Sequence, residues 1–157
     1  MGPLLLAGDG QGLRHLQFTD EQQLAELPAS WQPGGRAFAS VITQLEDYFA
    51  GQRRRFSLPL TPQGTDFQQQ LWQQLTRIDF GQTRSYGELA RVLGRPGAAR
   101  AVGLACAANP IAIVIPCHRV LGKDGELIGY AGGLERKAAL LRHEGVQMGE
   151  QLPLDLG

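Results

Sequence analysis

Residues 84–110 read RSYGELARVLGRPGAARAVGLACAANP, and the punctuation of this stretch decides the fold. Ser85 followed by Glu88 is a capping box, in which the hydroxyl takes the backbone N–H three residues on and the carboxylate reaches back. Leu89, Val92 and Leu93 then share one side of a short helix closed by Gly94 and Pro96. Gly97 to Ala108 is mostly alanine and glycine with a single arginine, Arg100. It ends at Asn109-Pro110 because a residue before proline is pushed out of the helical region. Two short helices joined by a Gly/Pro turn predict a helix-turn-helix, although an ordinary pair of packed helices has the same pattern. Ala99, Gly103 and Ala107 line up four apart with almost no bulk, so a partner helix or a sugar-phosphate ribbon can come close. Arg100 beside that face can fill the place of a displaced base or pair with a surface acid.

Downstream, Ile111 to Ile115 is a continuous apolar run that predicts a buried strand, ended by Pro116 so that Cys117 and His118 emerge at a turn. Cys106, on the alanine-rich helix, reads as an inert small hydrophobe. Cys117 differs because it follows proline and adjoins a base. A thiol reacts as the thiolate, so a nucleophilic cysteine needs a neighbour that takes its proton. His118 is one candidate, and an Asp or Glu elsewhere would hold its second ring nitrogen. Adjacent side chains rarely meet, which calls for a water or a turn between them. On this spacing alone a protease or a thioltransferase stays open.

Upstream, Leu4–Ala7 and Leu13–Phe18 flank a glycine-rich turn and predict a hairpin. A polar loop follows. From Arg36 the period turns helical, with Phe38, Val41, Ile42, Leu45 and Phe49 on one stripe and Gly51 at its end. Phe56 to Leu60 predicts a short strand, and Thr65 with Gln68 opens a helix from Asp66 to about Arg77. This divides the chain into residues 1–62, a small α/β domain; residues 63–146, mainly helical; and an acidic tail, residues 147–157.

With 43% apolar and 19% charged residues among 157, the composition excludes disordered and fibrous classes. Fifteen basic and fifteen acidic residues cancel, but unevenly. Residues 1–76 hold five Lys/Arg against seven Asp/Glu, residues 77–143 hold ten against five, and residues 144–157 hold none against three. Only the middle suits a polyanion, and on charge alone a solvated charged face accounts for it better. Two cysteines and three histidines supply neither a disulfide scaffold nor zinc spacing, so no metal is expected. No secretory signal or apolar run of membrane length is visible, which predicts a cytoplasmic, nucleoid-associated protein with free thiols.

The string Ile115-Pro116-Cys117-His118-Arg119-Val120 has Asn109-Pro110 before it, and Tyr130-Ala131-Gly132-Gly133-Leu134 and His143-Glu144-Gly145 after it. Together with Arg84–Ala90 and Ala99–Gly103, it closely resembles the methylated-DNA:protein-cysteine methyltransferases, or O6-alkylguanine-DNA alkyltransferases. The match runs from about Thr65 to Gly145; the first 60 residues agree only in layout. The resemblance implies an α/β N-terminal domain of a small antiparallel sheet plus helix. A mainly α C-terminal domain then carries a winged-helix-like helix-turn-helix and the active-site cysteine. It implies double-stranded DNA containing O6-alkylguanine as partner, with O4-alkylthymine as a second lesion, neighbouring copies along the DNA, no membrane and no cofactor. The alkyl group passes irreversibly from a flipped base to Cys117. His118, through a water, and Glu144 complete the relay that generates thiolate, and Asn109 braces the turn. Tyr86 crowds the phosphate and donates to guanine N3, and Arg100 fills the gap in the stack. Ala99, Gly103, Tyr130, Ala131 and Arg119 join the substrate- and DNA-binding set.

There are departures from the family pattern. Ala131 stands where many relatives have serine, so only its backbone amide can reach the guanine oxygen. The zinc ligands of some relatives are missing, as is the cysteine-rich domain of the adaptive-response regulators. Two rivals remain. A non-catalytic alkylated-base-binding protein of the alkyltransferase-like group would lack the acceptor cysteine, which Cys117 opposes. A plain DNA-binding regulator would leave the Pro-Cys-His-Arg turn unexplained.

Overall fold

The computed structural model describes residues 1–147. Beyond Gln147 the expected acidic tail lies outside the described residues.

Strands β1 (Leu4–Asp9) and β2 (Gly12–Phe18) form the predicted hairpin, with Leu4 opposite Phe18 and Asp9 opposite Gly12. The stretch expected to be loop contains a short helix, α1 (Glu21–Ala25), because the Asp20 carboxylate accepts the Gln23 N–H at 2.8 Å. A 3-10 turn at Gly35–Phe38 leads into α2 (Ala39–Phe49). The buried face of α2 is rotated from the expected one: Val41, Gln44, Leu45 and Tyr48 face inward, while Ile42 is 44% and Phe49 36% exposed. Gln44 can be buried because its amide pairs both ways with the Ser57 backbone, donating to the carbonyl at 3.1 Å and accepting the N–H at 2.9 Å.

The strand expected at Phe56–Leu60 is reduced to one parallel bridge, Leu60 to Leu13. Leu13 donates to the Pro59 carbonyl and accepts from Thr61, both at 2.9 Å, but Pro59 has no N–H with which to continue a ladder.

Helix α3 (Asp66–Leu75) starts at the Thr65–Gln68 capping box and buries Leu71, Trp72 and Leu75. A two-residue strand β3 (Arg84–Ser85) then enters α4 (Tyr86–Val92) through the second capping box. Gly94 takes a φ of 73°, which favours glycine, and turns the chain into α5 (Ala99–Ala107). The helix pair α4–α5 is therefore present, although Val92, expected on the packed side, is 61% exposed.

The run Ile111–Ile115 is not a strand. Val114 donates to the Ala112 carbonyl at 2.7 Å and Ile115 to the Ile111 carbonyl at 3.1 Å, folding the run into a tight turn. The Asn109 side chain replaces the missing ladder partners: its amide nitrogen donates to the Ile115 carbonyl at 2.8 Å and its oxygen accepts the Ile111 N–H at 3.0 Å. Ile113 sits at a φ of 70°, costing about 1–3 kcal/mol for a non-glycine residue. Burial of Ile111, Ile113 and Ile115 at 0–2% exposure offsets this, at about 1.5–3 kcal/mol per side chain. Outside the turn, Leu16 of β2 grips the same segment, donating to the Pro110 carbonyl at 2.9 Å and accepting from Ala112 at 2.8 Å.

A 3-10 turn at Cys117–Arg119 runs into β4 (Val120–Leu121), parallel to β3, and α6 (Leu134–His143) closes the described chain. One apolar core joins the two halves, with Leu13, Leu16, Leu45 and Tyr48 against Leu71, Leu75, Ile111 and Leu140. Among the described residues no helix is long and apolar enough to cross a membrane.

Candidate active site and nucleic-acid face

A cleft of about 1040 Å³ opens between α4, α5 and the loop before α6. Ala99, Gly103 and Ala107 form one wall, Tyr86 and Tyr130 line it, and Cys117 is reached from it. Arg100 is exposed at the same cleft, beside the small-residue face. A Cβ built on Gly103 would meet the Tyr86 ring at 3.8 Å, an ordinary contact. The fold itself therefore does not require glycine there. Ala131 also lines the cleft, near its mouth.

Behind Cys117 lies a closed polar network. Glu144, at the C-terminus of α6, is 4% exposed. Its carboxylate accepts from the Tyr48 hydroxyl at 2.5 Å, His118 Nε2 at 2.8 Å, and Arg119 Nε and Nη2 at 2.7 and 2.9 Å. Burial alone would raise Glu144, but the bonds from His118 and Arg119 win and hold it well below the usual carboxylate range. An ionised acceptor fixes the His118 tautomer: Nε2 carries the hydrogen, and Nδ1 keeps a lone pair. Nδ1 is buried with no partner. Burial pushes His118 down, so the ring is neutral and able to take a proton, although Glu144 pulls the other way.

Cys117 is buried, and desolvation raises its thiol against the pull of the Asn109 amide and Lys137. Burial therefore favours the thiol over the thiolate at rest. Cys106, expected to be inert, lines the same cleft and is pushed up by burial and then by Cys117.

Arg119 does not face the cleft. Expected among the DNA-binding residues, it is 6% exposed, bound to Glu144 and donating to the Ile78 carbonyl at 2.6 Å, because a buried carboxylate needs a cation beside it. Sequence reasoning also missed two residues. Tyr48 comes from α2. Lys137 of α6 is wholly buried, with Nζ donating to the Gly129 carbonyl at 2.9 Å and reaching the Tyr86 hydroxyl at 3.4 Å. Burial lowers Lys137 to about 8 and raises Tyr86 to about 12. Lys137 lies two helical turns before Glu144, on the same face of α6, and that spacing was the available signal.

A cysteine at an open cleft, followed in the chain by an imidazole that a buried carboxylate holds, beside the small-residue face of α5, is the arrangement a cysteine-dependent group acceptor needs. The chain belongs to the 6-O-methylguanine DNA methyltransferase family: residues 66–146 match its DNA binding domain and residues 1–62 its ribonuclease-like domain. It is 52% identical over 154 residues to the methylated-DNA--protein-cysteine methyltransferase of Mycobacterium leprae, covering 98% of this chain and 93% of that one. It is 49% identical to the protein of that name from Methanosarcina acetivorans, over 92% and 93% of the two chains. The crystal structure of Mycobacterium tuberculosis OGT in complex with DNA superposes with a TM-score of 0.84 at 50% identity, covering 91% of this chain and 86% of that one.

Proposed function

We propose that this protein repairs DNA by accepting the alkyl group of O6-alkylguanine, and of O4-alkylthymine, irreversibly on Cys117. One observation carries the reading above all: Cys117 lines a cleft walled by the small-residue face of α5, and the next residue in the chain, His118, is held by Glu144 through Nε2 while its buried Nδ1 has no partner. The names of the close relatives support the same chemistry, and the DNA complex of the M. tuberculosis protein supports DNA as the partner.

In this reading α4 and α5 are a winged-helix-like docking module for the minor groove, and the surplus of bases in residues 77–143 supplies phosphate affinity. The boundary between the domains falls at residues 62 and 63. Arg100 enters the stack as the damaged base swings out, which costs least for a weakly paired lesion. Ala99 and Gly103 let the backbone approach, and Tyr130 and the Ala131 amide receive the base. Tyr86 crowds the adjoining phosphate. Because the substrate is DNA, the protein works in the nucleoid-bearing cytoplasm.

The thiol proton passes through one water to His118 Nδ1, and the sulfur displaces guanine at the alkyl carbon. A C–S bond forms, the C–O bond breaks, and its electron pair goes to the base. Tyr86 offsets the developing charge by donating to N3 and is resupplied by Lys137, whose Nζ lies 3.4 Å away. Asn109 keeps the 111–115 turn closed, and with it the position of Cys117. Atoms balance with protein and DNA alone, and the thioether product gives a single turnover.

Intact-mass analysis after incubation with a methylated duplex tests this: one methyl-sized gain, mapped to Cys117 and absent in Cys117→Ala, is expected. No gain, or a gain on another residue, would overturn it. The non-catalytic alternative predicts binding with no mass change.

A further inference from the structure

We propose that Tyr48, a residue of the N-terminal half, is a positioning residue of the Glu144–His118 relay: its hydroxyl governs how strongly the carboxylate holds the imidazole. The inference rests on the alkyl-transfer reading above and assigns part of that chemistry to the domain outside the DNA-binding match.

Oε2 of Glu144 receives three donors: the Tyr48 hydroxyl at 2.5 Å, His118 Nε2 at 2.8 Å and Arg119 Nη2 at 2.9 Å. An oxygen has two lone pairs to share, so the shortest bond draws charge away from the others. Tyr48 cannot turn aside. It is 0% exposed, with Phe56, Phe80 and His143 around it at ring separations of 5.5, 6.1 and 4.8 Å. The His143 ring is also bonded to the Tyr48 carbonyl at 2.7 Å, tying α2 to α6 through backbone and side chain together. Burial, then Glu144, raises the Tyr48 hydroxyl far above its ordinary value, so it stays a donor at every working pH.

The groups facing His118 fix the sign. Glu144 favours its charged form, while Arg119 from the same turn and Lys137 from α6 oppose it. Cys117 precedes it in the chain, and Tyr130 feels the charges of both Cys117 and Glu144. Removing the Tyr48 hydroxyl returns negative charge to Oε2 and stabilises the imidazolium. A histidine already protonated cannot take the thiol proton, so the acid limb of the rate profile must move to higher pH.

The test is the single-turnover transfer rate from a methylated duplex across pH 5 to 9, for the wild type, Tyr48→Phe and Phe56→Leu. Tyr48→Phe should move the acid limb up by about one pH unit, making transfer about tenfold slower below it and nearly unchanged on the alkaline plateau. Phe56→Leu, which loosens the same aromatic cluster without touching Glu144, should lower Tm and leave the limb in place. A Tyr48→Phe limb that superposes on wild type or moves down would overturn the proposal. So would a loss uniform in pH, or an equal shift in Phe56→Leu. If the wild type itself gains no methyl on Cys117, the alkyl-transfer reading fails first.

Discussion

Replacing Glu144 with glutamine exchanges one carboxylate oxygen for NH2 and leaves the volume nearly alone, yet it strikes a group on which four hydrogen bonds converge. The carboxylate accepts four bonds, two of them from Arg119, and neither partner reaches solvent. A glutamine in that place accepts through one oxygen only, and its NH2 faces donors. The Arg119 guanidinium then keeps its charge with no counter-charge in a buried site. Breaking a buried ion pair from one side costs about 3–5 kcal/mol. At roughly 2–4 °C per kcal/mol for a domain of this size, Glu144→Gln should lower Tm by about 10 °C at pH 7.

The pH dependence discriminates further. The folded Glu144 lies below its ordinary value of 4.5, so its contribution is present above that value and lost as pH falls through the folded one. Between pH 7 and pH 3 the gap between the two melting curves should therefore narrow below pH 4.5 without closing, since the folded wild-type carboxylate keeps its charge well below that value. A gap that stays constant with pH, or a variant as stable as wild type at pH 7, would refute the argument that the ionised carboxylate holds this network together.

Two further outcomes concern the DNA face. Arg100→Ala should slow repair in duplex far more than in single strands, because only the duplex has a stack to refill; equal losses on both substrates would remove that role. Ala107→Leu adds bulk to an exposed site on the small-residue face, so Tm should move by less than about 2 °C while duplex affinity falls at least about tenfold. Unchanged binding in a titration would show that nothing approaches α5 closely there.

Local signals were read well. Both capping boxes form, at Thr65 with Gln68 and Ser85 with Glu88, because their partners are three residues apart and find each other within a helical turn. Apolar counting did less well where a polar side chain could be satisfied at a distance. Gln44 is buried through Ser57, so α2 turns a different face inward. The 111–115 run looked like a strand because five apolar residues in a row carry no sign of Asn109 folding back over them. The site was legible as a set of residue types, but Arg119 was assigned outward because nothing in its neighbours reveals that a carboxylate 25 residues on would claim it.

What the chain determines alone is whatever depends on a few consecutive residues: helix ends, turns, the bare face of α5, and a cysteine delivered after proline beside a histidine. Tertiary structure decided what holds that histidine, since Tyr48 and Glu144 stand 96 residues apart and meet only when α2 and α6 pack on one core. The physical reason is that a buried charge must find every one of its partners wherever the chain can bring them, and distance along the sequence places no limit on where they come from.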